Sequence, residues 1–219
     1  AVREGAYAVD NSAAFRMDRE TDLVVPEVNG HLLKKGKPAV IANPNCSTIQ
    51  LVVAMKPLLQ DFGLESIHVA SYQAVSGAGR DGQHELMTQT KALAEGGGLP
   101  APKTFPHPIA MNAVPQIGSF NDQGFSSEEV KIMKETKKIL GREDFRVSAF
   151  TVRIPAWNAH SEAVWVRLKK NVTRDQVIAS LKSQHGLVVE DGTKYPTAVE
   201  YDGKDPVAVG RIHQDPEDP

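Results

Sequence analysis

The sequence predicts an α/β protein, α+β in its arrangement: a mixed sheet covered by helices on one face. Three observations lead there. Segments run strand, helix, strand, helix, and then helix, two long β-rich runs, helix and a short closing strand. In the second β-rich run Val164, Val166 and Leu168 alternate with Trp165 and Arg167, as in a half-buried antiparallel strand. Two segments open with capping-box signatures, Ser126 with Glu129 and Thr173 with Gln176. A chain of 219 residues, 41% of them hydrophobic, buries roughly 70% of its unfolded surface and needs no disulfide or metal staple.

Taken in order, residues 1–5 read as a helix end closed by Gly5, and 6–9 as a short strand leading into Asp10-Asn11-Ser12. Residues 39–42 form a strand stopping at the turn Asn43-Pro44-Asn45. Cys46-Ser47-Thr48 then opens a helix through 49–59, which Pro57 is expected to kink or divide and Gly63 to end. Residues 64–75 alternate as a strand with Ile67, Val69 and Ser71 on one face. A helix at 80–95 closes on Gly96-Gly97-Gly98. The proline-rich stretch 99–115 is a long connection. Residues 126–140 give the clearest helix, with Val130, Met133 and Leu140 as an incomplete apolar stripe. Strands follow at 145–154 and 160–169, separated by a turn at 155–159. A last helix from Thr173 is expected to end at Gly186.

Composition removes several function classes. Lys and Arg number 25 against 27 Asp and Glu, a net charge of −2, so no field favours nucleic acid or an anionic membrane. The longest aliphatic run, 51–55, falls far short of a bilayer span. No secretory leader is visible, and the single cysteine fits a reducing, cytoplasmic setting. No histidine pair has metal-ligand spacing, so a metal site is not expected.

Cys46 is where geometry and chemistry converge. A thiol at a strand–turn–helix junction faces unsatisfied N–H groups and the positive end of the helix dipole, and both favour thiolate. A nucleophile and a cysteine packed as a small hydrophobe both stay open. Gly77-Ala78-Gly79-Arg80-Asp81-Gly82 matches the dinucleotide fingerprint G-x-G-x-x-G. The βαβ unit around it is incomplete, however, so a turn that lets backbone approach a ligand is the better reading. Glu128 and Lys131 share a helix face at i,i+3, where a solvated pair is the simpler explanation. Lys134, Lys137 and Lys138 read as a wet face. Arg153 and His160 flank the proline turn and could meet at one mouth of the sheet, or be structural.

These residues stand in segments that resemble the aspartate-β-semialdehyde dehydrogenase family. They are Asp10-Asn11-Ser12-Ala13-Ala14-Phe15-Arg16-Met17, Val24-Val25-Pro26-Glu27-Val28-Asn29 and Asn43-Pro44-Asn45-Cys46-Ser47-Thr48. Further on come Tyr72-Gln73-Ala74-Val75-Ser76-Gly77-Ala78-Gly79, Lys134-Glu135-Thr136-Lys137-Lys138, Arg153-Ile154-Pro155 and His160-Ser161-Glu162. They keep the family's order across nearly the whole chain.

The resemblance implies a catalytic and dimerisation domain at 46–219, of the kind found in glyceraldehyde-3-phosphate dehydrogenase, preceded at 1–45 by the tail of an NADP-binding Rossmann domain. It implies a fragment lacking the nucleotide-binding loop and a C-terminal helix. The expected reaction is NADPH-dependent reductive dephosphorylation of β-aspartyl phosphate to aspartate semialdehyde, on the route to lysine, methionine and threonine. By the same resemblance Cys46 is the nucleophile, His160 the acid–base residue, and Gln73 the residue positioning substrate and thiol. Arg153 would grip the substrate carboxylate, Glu128 its ammonium, and Lys131 with Arg16 its phosphate. Asn45 lies beside the nucleophile, and Ser76 and Gly77 border the nicotinamide. A homodimer is expected, with a tetramer left open. Related acyl-phosphate reductases such as N-acetylglutamyl-phosphate reductase, or a non-catalytic dimerisation module, are the alternatives.

Overall fold

A computed structural model describes residues 2–217; Ala1, the first residue of the expected helix end, and the terminal Asp218 and Pro219 lie outside them. Three short strands, β1 (Ala8–Asp10), β2 (Asp22–Leu23) and β3 (Val40–Ala42), form a parallel sheet with β3 in the middle. Leu23, Val25, Val28 and Ala42 pack below it against Val52, Val53 and Ile139 of the helices that follow. The short helix α1 (Pro26–Asn29) sits between β2 and β3.

Helix α2 runs from Cys46 to Phe62 without interruption. The expected division at Pro57 does not occur. Proline there removes one backbone hydrogen bond, and its buried ring stays within the packed face that includes Leu51, Met55 and Leu58. After it comes β4 (Leu64–Gln73), the spine of the second sheet. Helix α3 (Gly79–Ala94) follows a single 3-10 turn at Val75–Ala78. The connection to α4 (Ser127–Leu140) holds no regular element, and side chains of α3 fix it: Glu85 accepts the Lys103 and Thr104 N–H groups at 2.9 and 2.6 Å, and Gln89 those of Ile109 and Ala110 at 2.8 and 3.0 Å.

β5 (Arg146–Arg153) and β6 (Ser161–Leu168) do not pair with each other, although a short turn joins them. β4 lies between them, parallel to β5 and antiparallel to β6. α2 and α4 cover one face of this sheet, where Ile67, Val69, Ala149 and Val164 meet Leu51, Met55, Leu58 and Ile132. The opposite face leaves Tyr72, Phe150 and Trp165 exposed, so Val164 and Trp165 do point to opposite sides. Helix α5 (Arg174–Lys182) carries the expected capping box but ends at Ser183; Gly186 lies beyond it, close against Glu27. A parallel pair, β7 (Leu187–Val189) with β8 (Val207–Val209), and the single-turn helix α6 (Ala198–Tyr201) complete the chain.

Helix α4 departs from the expected stripe. Its buried face carries Ile132 and Ile139 together with Glu128, Glu129, Glu135 and Thr136. Glu129 explains part of this. One of its oxygens closes the capping box on the Ser126 N–H at 2.7 Å, and the other accepts the Thr151 N–H at 2.9 Å, pinning the helix start to β5. Lys138 is not part of a wet face either. Its ammonium is held by the carbonyls of Arg16, Asp18 and Thr21 at 2.8, 2.6 and 2.9 Å, which ties the segment bearing Arg16 to α4.

Candidate active site

Cys46 is the first residue of α2, and Asn45 is its N-cap. The Asn45 side-chain oxygen accepts the N–H groups of Ser47 and Thr48 at 3.0 and 3.3 Å, satisfying two donors the helix cannot. Its amide donates to Glu128 Oε1 at 2.7 Å, and its backbone N–H to Glu135 Oε2 at 2.7 Å. Glu128 also accepts from Gln73 at 3.2 Å and pairs with Lys131 at 3.4 Å. A buried carboxylate with three polar partners is stable where an unpaired one would not be.

The ends of β4 and β5 bring in the rest. Gln73 and Arg153 are register partners at the last rung of the ladder. Arg153 Nη1 donates to the Ala74 carbonyl at 2.7 Å, while the Ala74 N–H donates to His160 Nδ1 at 3.0 Å. One peptide residue therefore orients both the guanidinium and the imidazole. Gly77 lies against this pair: a Cβ there would stand 2.7 Å from Arg153 Nη1 and 3.3 Å from His160 Nε2. Glycine is required for that approach. The same logic applies at Gly82, where a Cβ would meet the Val75 carbonyl at 2.8 Å. Two glycines of the G-x-G-x-x-G run thus serve contacts within the protein.

A cleft of about 430 Å³ opens over these groups, and Arg16, Asn45, Cys46, Gln73, Gly77, Glu128, Lys131 and Arg153 all line it. His160 does not line it but stands beside Gly77, which does, with its ring 3.3 Å from where a Gly77 Cβ would lie; Ser76 is half-buried in the same turn and does not line the cleft either. Glu135, Ala74 and Lys138 hold the site together, a role the sequence reading did not give them: Lys138 was read as part of a wet face, and Glu135 and Ala74 stood only within the segments that carry the resemblance. The i,i+7 spacing of Glu128 and Glu135 on one helix was the available signal for the first. Among the described residues no cluster of three or more His, Cys, Asp or Glu could hold a metal.

The electrostatics correct one expectation. Burial, and then the Glu128 carboxylate, raise the Cys46 pKa above its ordinary value; the Ser47 N–H and Arg153 act in the opposite sense and do not prevail. The helix start helps the thiolate, but the resting thiol keeps its proton at neutral pH although it is exposed to the cleft. Burial first and Arg153 second lower His160 to about 4, so its ring is neutral at pH 7. Because Nδ1 accepts the Ala74 N–H, the neutral ring carries its hydrogen on Nε2, on the side nearest Gly77.

Fold and site together define a sheet-and-helix domain whose cleft sets charged side chains beside a cysteine thiol. The description "semialdehyde dehydrogenase, dimerisation domain" matches residues 55–219. The chain belongs to the semialdehyde dehydrogenase family. It is 44% identical over 218 residues to an aspartate-semialdehyde dehydrogenase of Aquifex aeolicus, covering 98% of this chain and 64% of that one. A Bacillus subtilis relative of the same name is 42% identical over 226 residues, with 98% and 65% covered. The crystal structure of the Vibrio cholerae aspartate semialdehyde dehydrogenase II complexed with ASA aligns with a TM-score of 0.92 at 40% identity, over 99% of this chain and 65% of that one. The chain thus spans a little under two thirds of the length of these relatives.

Proposed function

We propose that this chain is the catalytic and dimerisation part, residues 46–219, of an enzyme that converts β-aspartyl phosphate to aspartate semialdehyde, with residues 1–45 the tail of its NADP-binding domain. One observation carries the reading. The cleft presents a thiol beside three cations, Arg16, Lys131 and Arg153, and one carboxylate, Glu128. A substrate with a phosphate, a carboxylate and an ammonium has the complementary set. Arg153 suits the planar carboxylate through its fork, and Lys131 suits phosphate as a compact charge. The parallel sheet of the first 45 residues is consistent with a Rossmann tail.

In this mechanism the substrate ammonium offsets Glu128, which otherwise opposes ionisation of Cys46. Cys46 gives up its proton to the solvent it is exposed to, the thiolate attacks the acyl carbon, the bond from that carbon to the phosphate oxygen breaks, and phosphate leaves against Lys131 and Arg16. A thioester on Cys46 remains. NADPH, when bound, supplies the hydride that reduces the thioester carbon. Gly77 leaves bare backbone at the cleft wall, which fits the close approach of a flat ring, and Ser76 stands beside it. His160 Nε2–H donates to the oxygen that becomes negative, and Gln73 holds the reacting groups in place. The carbon–sulfur bond of the thiohemiacetal then breaks and frees the aldehyde and the thiolate.

Glu128 favours a free amino group over an N-acetylated one, and so favours this substrate over that of N-acetylglutamyl-phosphate reductase. The exposed Tyr72, Phe150 and Trp165 support a homodimer formed through the open face of the sheet. The reaction belongs to the biosynthesis of lysine, methionine and threonine in the cytoplasm. The test is NADPH oxidation by the complete protein that carries this chain. Turnover with β-aspartyl phosphate and not with N-acetylglutamyl phosphate supports the reading; the reverse preference would overturn it.

A further inference from the structure

Glu135 has no assigned role, yet it is among the most enclosed side chains of the protein at 1% exposure. Its two oxygens serve different parts of the site. Oε2 accepts the backbone N–H of Asn45 at 2.7 Å, and Oε1 faces Arg16 Nη1 at 3.3 Å. Asn45 is the N-cap of α2, so no carbonyl of its own helix can take that N–H. Arg16 is held at three points: Nη1 on Glu135, Nη2 on the Asn11 carbonyl at 2.9 Å, and its own carbonyl on Lys138. Among the described residues its Nε–H is buried without a partner, although the side chain lines the cleft. Each outer nitrogen carries a second N–H beyond the one given to Glu135 or Asn11, so an anchored guanidinium that lines the cleft still has donors for an incoming acceptor.

We propose that Glu135 is a positioning residue that joins the anion-binding Arg16 to the helix start bearing Cys46, setting the distance between bound phosphate and the thiol. The proposal rests on the reading of the cleft as a phosphate site. Glu128 and Glu135, two turns apart on one face of α4, divide the work. Glu128 holds the Asn45 side chain, and Glu135 holds its backbone and the arginine. Only a carboxylate serves both of Glu135's partners, because both are donors and each needs an acceptor oxygen. A glutamine can turn its single oxygen to the Asn45 N–H, but its NH₂ group then confronts Arg16, donor against donor.

The sequence contains one cysteine, so iodoacetamide labelling read by intact mass reports Cys46 alone. The experiment titrates inorganic phosphate against the labelling rate in the 219-residue chain, with near-ultraviolet circular dichroism to confirm folding. In the wild type, phosphate is expected to slow labelling. Glu135→Gln is expected to raise the phosphate concentration for half protection about tenfold or more. A purely structural glutamate would alter fold or basal rate and leave the phosphate midpoint unmoved. A folded Glu135→Gln with an unchanged midpoint overturns the proposal. Should that variant unfold, Glu135→Asp, which keeps the charge on a shorter stem, is read in the same way. Wild-type labelling that phosphate does not slow would overturn the phosphate site itself, and the role of Glu135 with it, before any variant is made.

Discussion

The covered face of the central sheet is buried along β4 from Ile67 to Gln73, yet its two halves are built from different chemistry. Along β4 the residues facing α2 and α4 are Ile67, Val69, Ser71 and Gln73, and along β5 Ala149 is followed by Thr151 and Arg153. The same change runs along α2, where Ser47 and Thr48 at the start give way to Leu51, Met55 and Leu58. Burial is equal in the two halves, so burial does not separate them. The apolar half is held by contact, and similar volumes can replace one another there. The polar half is held by directed bonds whose partners cannot be exchanged without stranding a donor or a charge. The candidate site sits at the polar end, where the charged groups are already fixed and largely dehydrated, as the proposed charged substrate would need.

This zoning can be broken from either end. In the apolar half, Ile67→Ala opens a cavity beneath α2 and should lower unfolding stability by about 2–5 kcal/mol. Denaturant titration reads it, and Cys46 labelling in the folded fraction should be unchanged. A loss below about 1 kcal/mol would mean that the half repacks freely.

The polar half should respond to acid instead. With His160 held at about 4 in the fold against 6.5 unfolded, the unfolded chain takes up the proton first. His160 therefore contributes stability that is fully present above pH 6.5 and is lost as pH falls through about 4, on the order of 3 kcal/mol in all. Denaturation curves at pH 7 and pH 4.5 should show the difference, and His160→Gln should flatten it. Equal slopes in the two proteins would remove the ring from its buried, neutral state.

The smallest of these effects is the most local. In the complete enzyme, Arg153→Lys keeps the charge but loses the fork that holds the Ala74 carbonyl and, on the proposed reading, grips the substrate carboxylate. A charged hydrogen bond is worth about 1.5–3 kcal/mol, so kcat/KM should fall roughly 10- to 150-fold with little change in folding stability. An unchanged kcat/KM would take Arg153 out of the substrate's carboxylate site.

The two halves were also unequally legible in the sequence. Period-two alternation and capping boxes located β4, β5, β6, α4 and α5, because apolar burial and cap chemistry leave local signals. The thiol at a helix start was visible for the same reason: Asn45 caps the helix that Cys46 opens. Beyond the suggestion that Arg153 and His160 could meet across the proline turn, the polar half was legible through its resemblance to a family, since Glu128 and Lys131 look like any surface pair at i,i+3. Glu135 and Lys138 stayed hidden because their partners lie 90 or more residues away, a backbone N–H and the Arg16 guanidinium for the first and three backbone carbonyls for the second. The placement of β4 between β5 and β6 was not encoded locally either; the turn between β5 and β6 reads equally well for strands that never pair. The raised thiol pKa needed the fold, because burial and Glu128 outweigh a dipole that the sequence alone displays.

The central claim is that the polar end of this core turns Cys46 into the acceptor of an acyl group from a phosphorylated substrate. Thioester formation needs no reductant, so the measurement is intact-mass analysis of the chain incubated with β-aspartyl phosphate in the absence of NADPH, followed by peptide mapping. One aspartyl group on Cys46, absent from Cys46→Ser and removed by hydroxylamine, is the expected result. An unmodified chain, or an adduct on another residue, would contradict it.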